Sequence, residues 1–250
     1  MYSSSQGYDM QALILAGGAG TRLRTVLTGL NKPMAPVAGR PFLEYLLLQL
    51  KKHEIDEVTL CVGYKADLIQ AYFGRGDRWG MQISYSYETD FRGTAGALKL
   101  AEDLIHEEDF FVMNGDSLFA IELRTLMHYH RNMQATATLA LAHVNDTQRY
   151  GAVSMNELGR IVSFIEKREG NTEGLINGGV YVFAREVLDF IPGGQPVSLE
   201  QDILPRLIGR DLYGMPLQGY FVDIGVPADY MRLQSTPTQL LTAADQRRHS

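Results

Sequence analysis

Between Ala12 and Leu141, short β-branched or apolar runs alternate with stretches of helical periodicity, and this alternation restricts the fold more than any other feature of the chain. Ala12–Ala16 reads as a first strand, and Pro41 opens PFLEYLLLQLKKH, a helix apolar around most of its girth. Strands at Val58–Val62, Met81–Tyr87 and Phe110–Met113 then interleave with helices at Lys65–Phe73 and Thr94–Leu104. Strands joined by helices predict the α/β class, a Rossmann-like layered core around a mixed, mainly parallel sheet. After a strand at Ala135–Ala142 the rhythm changes. GAVSMNELGRIVSFIEK reads as a hairpin turning at Asn156–Gly159, LINGGVYVF as a strand, SLEQDILPRL as a short helix with Ser198 as N-cap, and GYFVDIG as a late strand. Residues 1–10 are expected to be disordered, and the polar tail, 234–250, to be mobile.

Composition narrows the function. A chain of 250 residues with 45% hydrophobic content buries a sizeable core. The net charge of -6 and pI near 5.5 argue against nucleic-acid partners, so any phosphate is gripped locally. Cys61, the single cysteine, lies inside the apolar run VTLCVGY, which rules out a disulfide framework and suits a reducing compartment. No run reaches the roughly 18 apolar residues of a membrane span, and MYSSSQGYD lacks the features of a signal peptide, so a cytoplasmic location and no membrane partner are expected. The six histidines show no metal-ligand spacing and are read as surface residues.

The first strand runs directly into GGAGTR. In open parallel sheets ligands bind beyond the carboxyl ends of the strands, and glycines there let backbone N–H groups approach an anion. Arg22 and Lys32 would add charge-assisted hydrogen bonds, so the loop suits a polyphosphate. A Walker A loop would need Gly-Lys-Ser/Thr, which is absent. A dinucleotide fingerprint would need a third glycine where Leu23 stands and an acidic residue after the second strand, where Val62-Gly63-Tyr64 is found.

These residues belong to a longer ordered pattern. Leu15, Ala16, Gly17, Gly18, Gly20, Thr21 and Arg22, then Lys32-Pro33-Met34, Gly93-Thr94-Ala-Gly96, Asn114-Gly-Asp116, Glu166-Lys167, Asn177-Gly178-Gly179 and Val222 to Pro227 together resemble the sugar-1-phosphate nucleotidyltransferase signature, over about residues 11–230. One departure is Asn31, where most relatives carry proline before the lysine. Within the family, NKPMAPVAGRPFLEYLLLQL and FVDIGVPADY look most like the D-glycero-α-D-manno-heptose 1-phosphate guanylyltransferases, which make GDP-heptose for bacterial surface polysaccharides; mannose 1-phosphate guanylyltransferases are the nearest alternative.

The resemblance implies one nucleotidyltransferase domain over 11–233, with a nucleotide-binding part at about 11–142 and a smaller sugar-binding part at about 143–220. It implies a nucleoside triphosphate, GTP favoured, and a sugar 1-phosphate as substrates, with Mg²⁺ as cofactor. Arg22 and Lys32 would hold the triphosphate and departing pyrophosphate, Asp116 and Asp223 the metal, and Lys167 the sugar phosphate. Glu166, Asn177, Gly178 and Gly179 would contact the sugar; Leu15 to Gly18, Gly20, Thr21, Glu88, Gly93, Thr94 and Asn114 would line the nucleotide site. Regulatory relatives that have lost catalysis should lack the cations or carboxylates, and this chain keeps them, which favours an enzyme. Glu88, five residues before Gly93, stands where uridylyl- and thymidylyl-transferring relatives often carry Gln. A carboxylate only accepts, and guanine offers adjacent N1 and N2 donors. A symmetric homodimer is the default assembly.

Overall fold

The computed structural model describes residues 10–18, 30–147, 150–165, 173–225 and 227–245. Its centre is a seven-stranded sheet in the order β12-β8-β11-β6-β1-β4-β5. These strands are β1 (Gln11–Leu15), β4 (Glu57–Val62), β5 (Gln82–Tyr87), β6 (Asp109–Asn114), β8 (Ala137–Val144), β11 (Gly174–Ala184) and β12 (Leu212–Leu217). β1 runs parallel to β4 and β6, β4 to β5, and β12 to β8; only β11 is antiparallel to its neighbours, which makes the sheet mixed and mainly parallel as expected. β8, β11 and β12 come from the second half of the chain, so the part expected over 143–220 shares one sheet with the first half.

Both faces of the sheet are covered. Successive side chains of a strand point to opposite faces, and β1 shows the consequence: Ala12 and Ile14 join the core beneath α1 (Phe42–Lys52) and α2 (Ala66–Phe73), whereas Leu13 joins the core beneath α3 (Gly93–Leu100). β1 and β6, buried but for their ends, are therefore read as continuous apolar runs. A two-residue ladder, β2 (Pro36–Val37) with β3 (Arg40–Pro41), leads into α1. β7 (Ser117–Ala120) pairs antiparallel with β13 (Tyr220–Asp223), and β9 (Ala152–Met155) with β10 (Ile161–Ile165) as the anticipated hairpin.

The structure differs from the sequence reading in four places. α4 (Leu123–Met133) carries the stripe Leu123, Leu126, Met127 and His130, whose last member is polar and so hides the helical period. His130 and His53 are buried, not surface residues. α5 (Pro227–Ser235) leads into the tail, where α6 (Thr238–Asp245) lays Leu240 into the core beside α1. SLEQDILPRL is a wide π turn (Leu199–Ile203) and then a tight 3-10 turn (Leu204–Leu207), because Pro205 has no N–H to continue a regular helix; Ser198 does cap it, accepting from Gln201 N at 3.2 Å. The expectation for residues 1–10 lies outside the described residues except at Met10, which is buried.

His130 owes its burial to polar partners. Its Nδ1 lies 2.9 Å from Thr138 Oγ1, and its Nε2 lies 3.4 Å from Asp109 Oδ1, too poorly aligned for a formed hydrogen bond. His130, and Arg131 at 2.8 Å, hold the Asp109 carboxyl below the usual carboxylate range. A depressed carboxyl contributes stability above its unfolded pKa and loses it as pH falls through the folded one. Asp109→Asn should therefore lower stability at pH 7 by on the order of 1 kcal/mol, with the gap to wild type closing as the pH is taken down towards 3. Denaturant unfolding at both pH values checks this; equal stabilities at pH 7 would remove Asp109 from the fold's charge balance.

Candidate active site

The site forms where β1, β4 and β6 end. Ala16 N donates to Cys61 O at 2.8 Å and Tyr64 N to Gly17 O at 3.2 Å, which pins the start of the glycine loop against the end of β4. Gly17 has no side chain for a reason: a Cβ there would stand 3.0 Å from Glu88 Oε1. Gly93 opens α3 at φ +71°, and its missing Cβ lets Val197 O come close enough to accept from Ala95 N at 2.9 Å. Val197 N returns a bond to Arg92 O at 2.8 Å, and Leu199 N donates to Thr94 Oγ1 at 2.7 Å. A segment a hundred residues downstream is thus zipped onto the start of α3.

Around these contacts is a cavity of about 280 Å³. Every described residue expected at the nucleotide site lines it: Leu15, Ala16, Gly17, Gly18, Lys32, Glu88, Gly93, Thr94 and Asn114, together with Asp116. Gly20, Thr21 and Arg22 lie outside the described residues. The Asn31 departure has a structural role. Asn31 is fully buried, its Nδ2 donates to Tyr64 O at 3.0 Å, and the tight turn Lys32–Met34 starts from it with Pro33 in the first turn. That side-chain bond anchors the turn that presents Lys32.

Lys32 Nζ lies 2.8 Å from Asp116 Oδ2. Asp116 follows the turn after β6, and the β7–β13 ladder pairs Asp223 with Ser117, so the two carboxylates end up side by side. Ile224 N donates to Asp116 O at 2.9 Å and Gly225 N to Asp223 Oδ1 at 2.5 Å, which fixes both. Burial and the neighbouring Asp116 charge push the Asp223 carboxyl up to about 6, against the pull of Gly225 N–H and Lys32. Glu88 is half-buried, and burial raises it too, opposed by Arg92, whose backbone N reaches Glu88 Oε2 at 3.5 Å.

A second cavity, about 680 Å³, adjoins the first and is lined by Tyr150, Phe164, Ile165, Asn177 and Glu200 among others. Asn177 thus faces open space as expected. Gly178 instead packs against Phe119, and Gly179 against Ser117 while donating to Asn177 Oδ1 at 3.0 Å, so these two sit behind the wall rather than in it. Glu166 and Lys167 lie outside the described residues. Sequence reasoning missed Glu200, which lines both cavities, and Tyr150. Glu200 sits among helix-forming residues with no local mark; only the docking of Val197 onto α3 brings it here.

The start of a glycine loop, a lysine and two neighbouring carboxylates, Asp116 after β6 and Asp223 at the end of β13, thus line up at one place, an arrangement suited to phosphorylated ligands. Residues 11–239 match the nucleotidyl transferase family, and the chain belongs to it. It is 41% identical over 226 residues to the D-glycero-alpha-D-manno-heptose 1-phosphate guanylyltransferase of Aneurinibacillus thermoaerophilus, covering 90% of this chain and 97% of that one. The enzyme of the same description from Campylobacter jejuni is 38% identical, with 88% and 97% covered. A mannose-1-phosphate guanylyltransferase of Mycobacterium tuberculosis is also 38% identical, but this chain, 90% covered, spans 64% of its length. The crystal structure of HddC from Yersinia pseudotuberculosis complexed with GMP-PN superposes with a TM-score of 0.81 at 29% identity, covering 90% of this chain and 98% of that chain. No helix among the described residues is long and apolar enough to cross a membrane.

Proposed function

We propose that the protein transfers a guanylyl group from GTP to a manno-configured sugar 1-phosphate, D-glycero-α-D-manno-heptose 1-phosphate before mannose 1-phosphate, releasing pyrophosphate. The observation that carries the reading is the single cavity in which Glu88, Lys32 and Asp116 meet the glycine loop. An oxygen of the sugar phosphate attacks the α-phosphorus of GTP, a new O–P bond forms, and the bond to the β-phosphate oxygen breaks. The nucleophile is already anionic, so no general base is required, and the work is positioning and charge neutralisation. Lys32 places positive charge at the phosphate end. Glu88 accepts from guanine N1–H and N2–H at the other, with the loop N–H groups between them.

Asp116 and Asp223 fit a Mg²⁺ site. Their crowding leaves one carboxyl destabilised as an anion, which a divalent cation would relieve, and among the described residues no third carboxylate, histidine or cysteine completes a set of ligands. Mg²⁺ is held in this way, by one or two carboxylates with waters and phosphate oxygens filling the rest. Bound there, it would supply Lewis-acid charge to the reacting phosphoryl oxygens. The relatives named above that act on heptose and mannose phosphates support the sugar; the two sugars share ring stereochemistry and differ by one exocyclic carbon, a difference a roomy pocket penalises little.

Pyrophosphate release measured over a matrix of nucleoside triphosphates and sugar 1-phosphates with Mg²⁺ tests this. GTP with the heptose phosphate should be best, mannose 1-phosphate second, and glucose 1-phosphate poor because its 2-hydroxyl is inverted. A preference for UTP or dTTP would defeat the guanylyl reading.

A further inference from the structure

Glu200 stands on the wall common to the two cavities. Its Oε2 is well used, accepting from Thr94 Oγ1 at 3.0 Å and Ser198 Oγ at 3.2 Å. Its Oε1 is not. Its one described donor is Tyr181 OH, 3.4 Å away, beyond the range of a normal O–H···O bond. Tyr181 cannot move closer freely, because it is fully buried in the β11 core and accepts from Asn177 Nδ2 at 2.8 Å. Glu200 is partly exposed and lines both cavities, so a carboxylate with spare lone pairs on Oε1 stands between Lys32's cavity and Asn177's, held through its other oxygen.

We propose that Glu200 Oε1 accepts a hydrogen bond from a ring or side-chain hydroxyl of the acceptor sugar and so sets which way round the sugar phosphate enters. A hydroxyl can donate to this oxygen; a phosphate dianion cannot and is repelled. The sugar phosphate is thereby oriented with its anionic end towards Lys32 and its polyol end at Glu200. Both substrates carry hydroxyls, but the ribose of the nucleotide is the weaker candidate. Asn177, which is hydrogen-bonded to the Tyr181 hydroxyl beside this oxygen, lines the larger cavity and not the one lined by the glycine loop; Tyr181 itself is buried behind the wall. The inference rests on the proposed transfer to a sugar phosphate and goes further by naming the group that selects the sugar.

The test is a steady-state comparison of wild type with Glu200→Gln and Glu200→Asp, using GTP, mannose 1-phosphate and its monodeoxy analogues. Wild type is assayed first: if it turns over no sugar phosphate with GTP, the proposed function itself fails, and that result is separate from everything below. Given turnover, Glu200→Gln should raise KM for mannose 1-phosphate about tenfold or more with KM for GTP little changed, and one monodeoxy analogue, poor with wild type, should lose no further activity with the variant. Glu200→Asp, which keeps the charge but shortens the reach, serves if the glutamine variant does not fold. Thr94→Val, which removes the hydroxyl shared by Oε2 and Leu199 N and leaves Oε1 in place, separates recognition from mere scaffolding: it should spare the discrimination between mannose 1-phosphate and that analogue. A rise confined to KM for GTP would place the bond on the ribose and overturn the proposal. So would equal changes for both substrates, no change for either, or a Thr94→Val enzyme that loses the same discrimination.

Discussion

Asp116→Asn and Asp223→Asn should each lower kcat by at least about two orders of magnitude, because a metal clamp on phosphoryl oxygens supplies several kcal/mol at the transition state. The two variants should differ in stability, and that difference comes from the free protein. Asp223 is crowded by Asp116, so removing its charge relieves repulsion, while an asparagine oxygen can still accept from Gly225 N. Its melting temperature should hold or rise. Asp116 is the 2.8 Å partner of Lys32, whose side chain is only 12% exposed. Losing that charge takes from a mostly buried cation its direct ion-pair partner, and the melting temperature should fall. Kinetics and thermal unfolding on the same preparations check both halves. Near-wild-type turnover in either variant would end the case for a carboxylate-held metal, and a melting temperature lowered equally in both would show that the repulsion does not matter.

What was legible in the sequence was local. Leu15 to Gly18 and Asn114 to Asp116 each join an apolar run to turn residues within a few positions, so the sheet rule alone carries them to one edge of the sheet, whereas the end of β13 reaches them through its separate ladder with β7. Lys32 was legible as a charge, and its anchoring was not, because the bond from Asn31 to Tyr64 O spans 33 residues. α4 was hidden by a histidine in its buried stripe, whose partners Thr138 and Asp109 lie on neighbouring strands. α6 was hidden by polarity: Leu240 is fully buried, but Gln239 and Thr242 around it are not apolar. Glu200 and Tyr150 reach the site through tertiary docking, which no spacing encodes. Residues that line the cavities were readable where the chain turns sharply at a strand end, and unreadable where a distant segment is laid against them.

Glu88→Gln should change which nucleotide is used. The Glu88 carboxylate lies against Gly17, is half-buried, and has only a 3.5 Å backbone contact from Arg92 N among its described hydrogen bonds. A carboxylate so placed lacks donors, and burial has raised its pKa as a result. Guanine brings two donors, N1–H and N2–H, to one edge, and hydrogen bonds to a charged group are each worth about 1.5–3 kcal/mol. A glutamine in its place offers one oxygen and one N–H, so one of the two guanine donors faces a donor, and the pair of good bonds becomes one bond and one conflict. The kcat/KM for GTP should fall by about ten- to a hundredfold. UTP and dTTP, whose N3–H and adjacent carbonyl suit a group that both accepts and donates, should gain. The pH dependence provides an independent check. A carboxyl whose pKa is raised loses its charge sooner than an ordinary one as pH falls, so KM for GTP should climb more steeply on acidification in wild type than in the Glu88→Gln enzyme, which keeps only the titrations of Asp223 and of the substrates. Parallel pH profiles for the two enzymes, or an unchanged ratio of GTP to UTP use, would show that Glu88 pairs with Arg92 for structure alone and that the base is read elsewhere.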